Sequence, residues 1–247
     1  MLATAAMRRA CTRTLYASPR VMRPTSQPTL SFDPSAKTAM DKQEPPAPGA
    51  DFRVVIVGAG NINFGSDEGP WNHSFRLEHK LGPRLKVVAL IDPDAERARR
   101  VLKTKCQSFV LSAYKDTVVY PTFKDYMESV RAETYPHAVW VGSPPAFRGG
   151  TEPGRNLEQL LTAGLPNVPL FIEKPVSTGA VDQTFEVAKM LERNGSLVSV
   201  GYMLRYLKVV QKMKQIIAEN DLHVMAVNAR YIICLLYTSP SPRDVEE

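Results

Sequence analysis

The stretch Arg53–Asn63, Arg-Val-Val-Ile-Val-Gly-Ala-Gly-Asn-Ile-Asn, constrains the fold more than any other part of the chain. Its four consecutive β-branched residues, Val54 to Val57, suit a strand buried on both faces in the middle of a parallel sheet. Gly58 and Gly60 follow at once. A buried strand that runs into Gly-x-Gly and then a helix is half of a dinucleotide-binding fingerprint. The first glycine permits a tight turn. The second lets a pyrophosphate approach the backbone at Gly60, Asn61 and Ile62. A third glycine is expected three residues after Gly60, and Asn63 stands there instead. A tight turn after any buried strand would also read Gly-x-Gly, so the rest of the chain must decide.

The 247 residues allow one or two domains with a sizeable core. No apolar run approaches the roughly 20 residues of a membrane span, which argues against a membrane partner. Cys11, Cys106 and Cys234 lie far apart and form no metal or redox spacing, which fits a reduced, cytoplasmic setting and no bound metal. The net charge of +6 is mostly local, because Arg8, Arg9, Arg13, Arg20 and Arg23 account for all but one of those charges. The remainder lacks the basic bias of a nucleic-acid binder.

The first stretch, Met1 to about Leu30, is rich in Arg, Ala, Ser and Thr and has no acid. That composition suits a mitochondrial transit peptide, and it suits a disordered tail equally well. Six prolines between Arg23 and Ala50 mark an unstructured linker. The expected organisation is a leader and linker over 1–50, a nucleotide-binding domain over 51–200, and the start of a second domain over 201–233.

Beyond the glycines, Phe64–Trp71 reads as an inserted loop, with two glycines and a proline. A helix is expected over Asn72–Leu81, stopped by Gly82 and Pro83, and a second buried strand over Lys86–Ile91. Asp92 ends that strand. An acidic residue there accepts hydrogen bonds from the adenosine ribose, and it can equally cap a helix that begins at Pro93. Further helices are expected over Ala95–Lys105, Phe123–Val130, Asn156–Ala163 and Val181–Asn194, the last with an apolar stripe of Val181, Phe185, Ala188 and Leu191. Strands alternate with them at Val118–Tyr120, Ala138–Val141, Leu170–Ile172 and Leu197–Val200. Six strands separated by helices imply an α/β fold with a doubly wound parallel sheet. The loop Gly142-Ser143-Pro144-Pro145 ends the fourth strand, where a nicotinamide has room to sit.

With these features in order, the chain resembles the glucose–fructose oxidoreductase and inositol dehydrogenase family (Gfo/Idh/MocA) from about Phe52 to Ile232. The resemblance rests on Val57-Gly58-Ala59-Gly60, Asp92, Glu173-Lys174-Pro175 and Gly201-Tyr202-Met203-Leu204-Arg205-Tyr206. It implies NAD or NADP as cofactor and oxidation of a hydroxyl on a sugar or polyol. It implies that Lys174 reaches both substrate carbinol and nicotinamide, that Pro175 is cis, and that Ser143, Pro144, Glu173 and Arg205 border the cofactor. The chain departs from the family pattern at Asn63, at Phe64–Trp71, and at Arg148, which stands where a histidine is common. The family also includes regulators that sense a dinucleotide without catalysis. Glu173-Lys174-Pro175 favours the enzyme, since a sensor has no need of the lysine. NAD is expected over NADP because Asp92 would repel a 2′-phosphate, with Arg97, Arg99 and Arg100 as the counterweight.

Adjacent residues on an extended segment point to opposite faces, so Glu173 and Lys174 cannot form one simple ion pair. The lysine is then free to enter a cleft. A helix over Leu207–Glu219 and a strand over Val224–Ile233 are expected to open the family's second domain, through which a homo-oligomer would form. Cys234 to Asp244 match one reading frame of a transposon-type sequencing adapter, so 234–247 read as an artefact and the chain as a fragment inactive by itself. The family's catalytic histidine belongs to that second domain. His73, His79, His137 and His223 offer no persuasive base here.

Overall fold

Val54 to Val57 form the buried end of β1 (Phe52–Val57), the central strand of the computed structural model, which describes residues 46–66, 72–228 and 230. Most of the leader and all of 234–247 lie outside the described residues. The strands β2 (Leu85–Ile91), β3 (Val118–Tyr120), β4 (Ala138–Val141), β5 (Leu170–Ile172) and β6 (Val198–Val200) complete a six-stranded sheet. The order is β3-β2-β1-β4-β5-β6, and every pairing is parallel. The doubly wound sheet expected from the alternation is therefore present, and β3, β4 and β5 keep the expected bounds.

Alternate residues of β1 serve two cores, which is why its run of apolar residues is unbroken. Val55 and Val57 join Val139, Val141, Leu170 and Ile172 on one face. That face is covered by α5 (Phe123–Ser129), α6 (Leu157–Gly164) and α7 (Val181–Arg193). Val54 and Ile56 join Leu85, Val87 and Leu90 on the other. There the cover is α2 (His73–Leu81), α3 (Ala95–Cys106) and the short α4 (Leu111–Tyr114), after a one-turn α1 (Asn61–Phe64). A register shift between Val54 and Val55 skips Val88, so Val87 and Ala89 serve opposite cores although they stand two apart.

Three expectations need correction. On α7 the buried residues are Val187 and Leu191, while Val181 and Phe185 are 67% and 61% exposed and Ala188 is also exposed. Two apolar stripes compete on this helix, and only the one that meets the sheet is buried. Val224–Asn228 form no strand, because an extended run needs a ladder partner and no described residue supplies one. The helix after β2 is capped by Asp94, whose Oδ1 accepts from Arg97 N at 2.9 Å, and not by Asp92. The last helix, α8 (Lys208–Glu219), buries none of its residues.

Candidate functional site

The parallel ladder continues one residue past each strand, and this brings the singled-out residues into a row. Gly58 N donates to Ile91 O, Gly142 N to Val57 O, Glu173 N to Val141 O and Gly201 N to Ile172 O, all at 2.8–2.9 Å. The registers place Asp92, Gly58, Gly142, Glu173 and Gly201 side by side along the carboxyl edge of the sheet. At about 4.8 Å per strand the row is about 19 Å long. Its centre, between β1 and β4, is the point where strand order reverses, where open α/β sheets bind ligands.

Gly58 has φ +97°, and a Cβ there would lie 3.0 Å from Ser143 N, so both the turn and the approach of β4 require glycine. A Cβ at Gly60 would face open space. The N–H groups of Gly60, Asn61 and Ile62 have no intramolecular acceptor among the described residues. Such a turn of free amides fits the pyrophosphate of a dinucleotide. Asn63 explains the missing third glycine. It is fully buried, its Nδ2 donates to Val57 O at 3.1 Å and Gly58 O at 2.7 Å, and it packs against Gly142. After Gly65 the chain leaves α1, and Asn72 starts a new helix by accepting Phe75 N at 2.7 Å.

Asp92 is buried at one end of the row. Its Oδ2 accepts Ala59 N at 2.6 Å, and its Oδ1 accepts Asp94 N at 2.8 Å and Arg97 Nη2 at 2.9 Å. The carboxylate thus braces the glycine turn and pairs with the part-exposed side chain of Arg97.

At the other end a cavity of about 330 Å³ is lined by Ile62, His73, Arg76, Glu173, Lys174 and Tyr206, among others. No ion pair joins Glu173 to Lys174 among the described residues. The Glu173 carboxylate turns inward, with Oε1 3.0 Å from His73 Nε2 and Oε2 accepting the Lys174 N–H at 2.6 Å. Lys174 is exposed in the cavity, and its ammonium has no acidic partner among the described residues. The Lys174–Pro175 bond is cis. His73 packs at an angle against the stacked pair of Trp140 and Phe171, with centroids at 5.3 and 4.9 Å. Burial lowers its pKa, against the raising effect of Glu173. A carboxylate only accepts, so Nε2 carries the proton and donates.

Arg148 is the largest fully buried side chain, with Nε donating to Ser143 O and Nη1 to Val176 O, both at 3.0 Å. It therefore clamps the loop after β4 to the segment after Pro175. Burial lowers its pKa and raises that of Glu158, whose Oε2 accepts Gly149 N at 2.8 Å. Ser143 and Pro144 stand mid-row, after Gly142. Arg205 lies over the Tyr206 ring at 5.9 Å and does not line the cavity.

Sequence reasoning missed His73, the structural use of Asn63, and the clamp of Arg148. Glu173 lies 100 residues from His73, so no local pattern could pair them. Among the described residues no three metal-ligating side chains gather, and no helix is long and apolar enough to cross a membrane.

Residues 52–202 match the family model described as an oxidoreductase family with an NAD-binding Rossmann fold. Residues 205–241 match an oxidoreductase C-terminal domain, a match that takes in 234–241. An uncharacterised protein of Schizosaccharomyces pombe is 44% identical over 185 residues, 74% of this chain and 48% of the relative. Inositol 2-dehydrogenase 4 of Saccharopolyspora erythraea is 28% identical over 157 residues, 63% of this chain and 38% of its own length. The chain thus spans about half the length, or less, of these curated relatives. Among solved structures, a WlbA dehydrogenase of Chromobacterium violaceum, in complex with NADH and UDP-GlcNAcA, shares the fold at TM-score 0.50 and 16% identity. That likeness covers 72% of this chain and 43% of the other.

Proposed function

Since the chain belongs to this oxidoreductase family with an NAD-binding Rossmann fold, we propose that it holds NAD or NADP along the row from Asp92 to Glu173 and serves the oxidation of a sugar or polyol hydroxyl. The observation that carries this reading is the Lys174 ammonium in the cavity, without an acidic partner among the described residues, beside a glycine-edged row. Bound there, the nicotinamide would accept or return a hydride.

The protein's own residues have separate tasks. Free amides from Gly60 to Ile62 receive the pyrophosphate, and Asp92 receives the ribose hydroxyls. Ser143, Pro144 and Glu173 border the nicotinamide end, with Arg205 at the rim. Lys174 donates a hydrogen bond to the substrate oxygen and stabilises the negative charge that grows on it. A regulator that only senses a dinucleotide would need the row but not the lysine, so Lys174 separates the two readings. A homo-oligomer and a cytoplasmic or mitochondrial location belong to the same proposal.

The test has two stages. Titration of the 247-residue chain with NAD and NADP should show saturable binding. A protein as long as the curated relatives should reduce NAD with inositols or other polyols, and Lys174→Ala should lower kcat at least about a hundredfold, in the range of an acid–base group. Binding without turnover on any sugar or polyol would support the regulator instead.

A further inference from the structure

We propose that His73 is a positioning residue for Lys174, acting through Glu173, an inference that rests on the reading of Lys174 as the group at the substrate oxygen. His73 is the first residue of α2, and its side chain is 5% exposed. Its Nε2–H holds Glu173 Oε1 at 3.0 Å, which leaves Oε2 to accept the main-chain N–H of Lys174 at 2.6 Å. One carboxylate is therefore gripped from two sides, by a helix on one face of the sheet and by the residue it must orient. Gly201 completes the seat, since a Cβ there would lie 2.9 Å from Glu173 Oε1 and displace it. The Lys174 backbone is thus fixed at the point where the side chain leaves for the cavity.

Glu173 alone could not achieve this. Without a second donor on Oε1 the carboxylate is free to turn toward the cavity, which releases the Lys174 amide. The tilted contact with Trp140 and the edge-on contact with Phe171 restrict the imidazole, whose Nε2 lies 3.0 Å from Glu173 Oε1. Nδ1 has no hydrogen-bond partner among the described residues, which leaves the Glu173 contact as the polar tie of this ring.

The experiment compares wild type, His73→Phe and His73→Gln in the 247-residue chain. Phe keeps a ring against Trp140 and Phe171 but removes the donor, whereas Gln restores an N–H. The first readout is amide exchange at Lys174 relative to the core amides of Val55 and Val139. Protection at Lys174 should fall at least tenfold in His73→Phe, stay near wild type in His73→Gln, and be unchanged at the core amides. The second readout is the ratio of affinities for NAD and ADP-ribose, which isolates the nicotinamide end. His73→Phe should move this ratio toward one with ADP-ribose affinity unchanged, and His73→Gln should restore it. If wild type binds neither ligand, the proposed function fails while the exchange readout still decides this inference. Wild-type protection at Lys174 in His73→Phe would overturn it and leave His73 as packing only. Should His73→Phe fail to fold, His73→Leu, which also removes the donor, must expose the Lys174 amide to the same degree, and full protection there overturns the inference equally.

Discussion

The amide side chain of Asn63 occupies the space that a side chain at Gly142 would need. Asn63 stands where the nucleotide fingerprint has its third glycine, and Gly142 follows β4, so bulk at one position excludes bulk at the other. The close approach of the turn to the sheet is kept, and two carbonyls gain a donor.

This mutual exclusion predicts a strong coupling. Gly142→Ala in the wild-type background should destabilise by about 1–3 kcal/mol through overpacking. Asn63→Gly should cost a similar amount by removing two buried hydrogen bonds. In the Asn63→Gly background the alanine should cost markedly less, because the space is empty. Urea unfolding of the four proteins gives the cycle, and additivity within about 0.5 kcal/mol would sink the idea.

The two faces of α7 should also answer differently. Val187→Ala and Leu191→Ala remove buried side chains and should each cost about 2–4 kcal/mol, less for valine. Phe185→Gln and Val181→Thr alter exposed positions and should stay within about 0.5 kcal/mol. Thermal melts decide, and equal losses on both faces would mean that the outward stripe is packed.

The contrast on α7 shows where sequence reading ends. Strand positions were legible because a strand buried on both faces must be apolar throughout, whatever its neighbours. The row of Gly58, Asp92, Gly142 and Glu173 was legible too, since each residue follows its strand directly. Which of two apolar stripes on a helix meets the sheet is a matter of tertiary packing that periodicity does not carry. His73 was hidden for a related reason, as its partner lies 100 residues away, and the Arg148 clamp was hidden because it reaches main-chain oxygens, which no side-chain pattern encodes.

Acidification should destabilise the protein through two histidines. Burial holds the pKa of His73 and His137 below the ordinary 6.5. His137 Nδ1 accepts the Arg53 N–H at 2.9 Å, a bond that protonation would break. Below pH 6.5 the unfolded chain therefore binds more protons than the folded one, so stability falls with pH until the lowered folded values are reached. Glu158 acts in the opposite sense, because its raised pKa makes the folded state bind more protons at acid pH. The difference between wild type and His73→Gln/His137→Asn isolates the histidines. Wild type should lose about 2–4 °C more between pH 7.5 and 5.5, and parallel curves would refute the account.

Arg97 should decide how strictly the chain chooses between cofactors. An isolated Asp92 carboxylate would reject a 2′-phosphate by charge alone. Arg97 Nη2 lies 2.9 Å from Asp92 Oδ1 while 44% of the arginine side chain remains exposed, so the guanidinium offsets the acid and still has donors to offer. This same hydrogen bond is the main cause of its raised pKa. NAD should bind more tightly, and NADP should bind measurably because Arg97 can turn toward the phosphate. Arg97→Leu should then weaken NADP binding about tenfold or more, about 1.4 kcal/mol, and change NAD affinity by less than about threefold. Asp92→Asn should act on both, since it loosens the Ala59 amide that braces the turn. Fluorescence titration of each variant with the two dinucleotides is the measurement. An NADP affinity unmoved by Arg97→Leu would leave Asp92 as the sole discriminator.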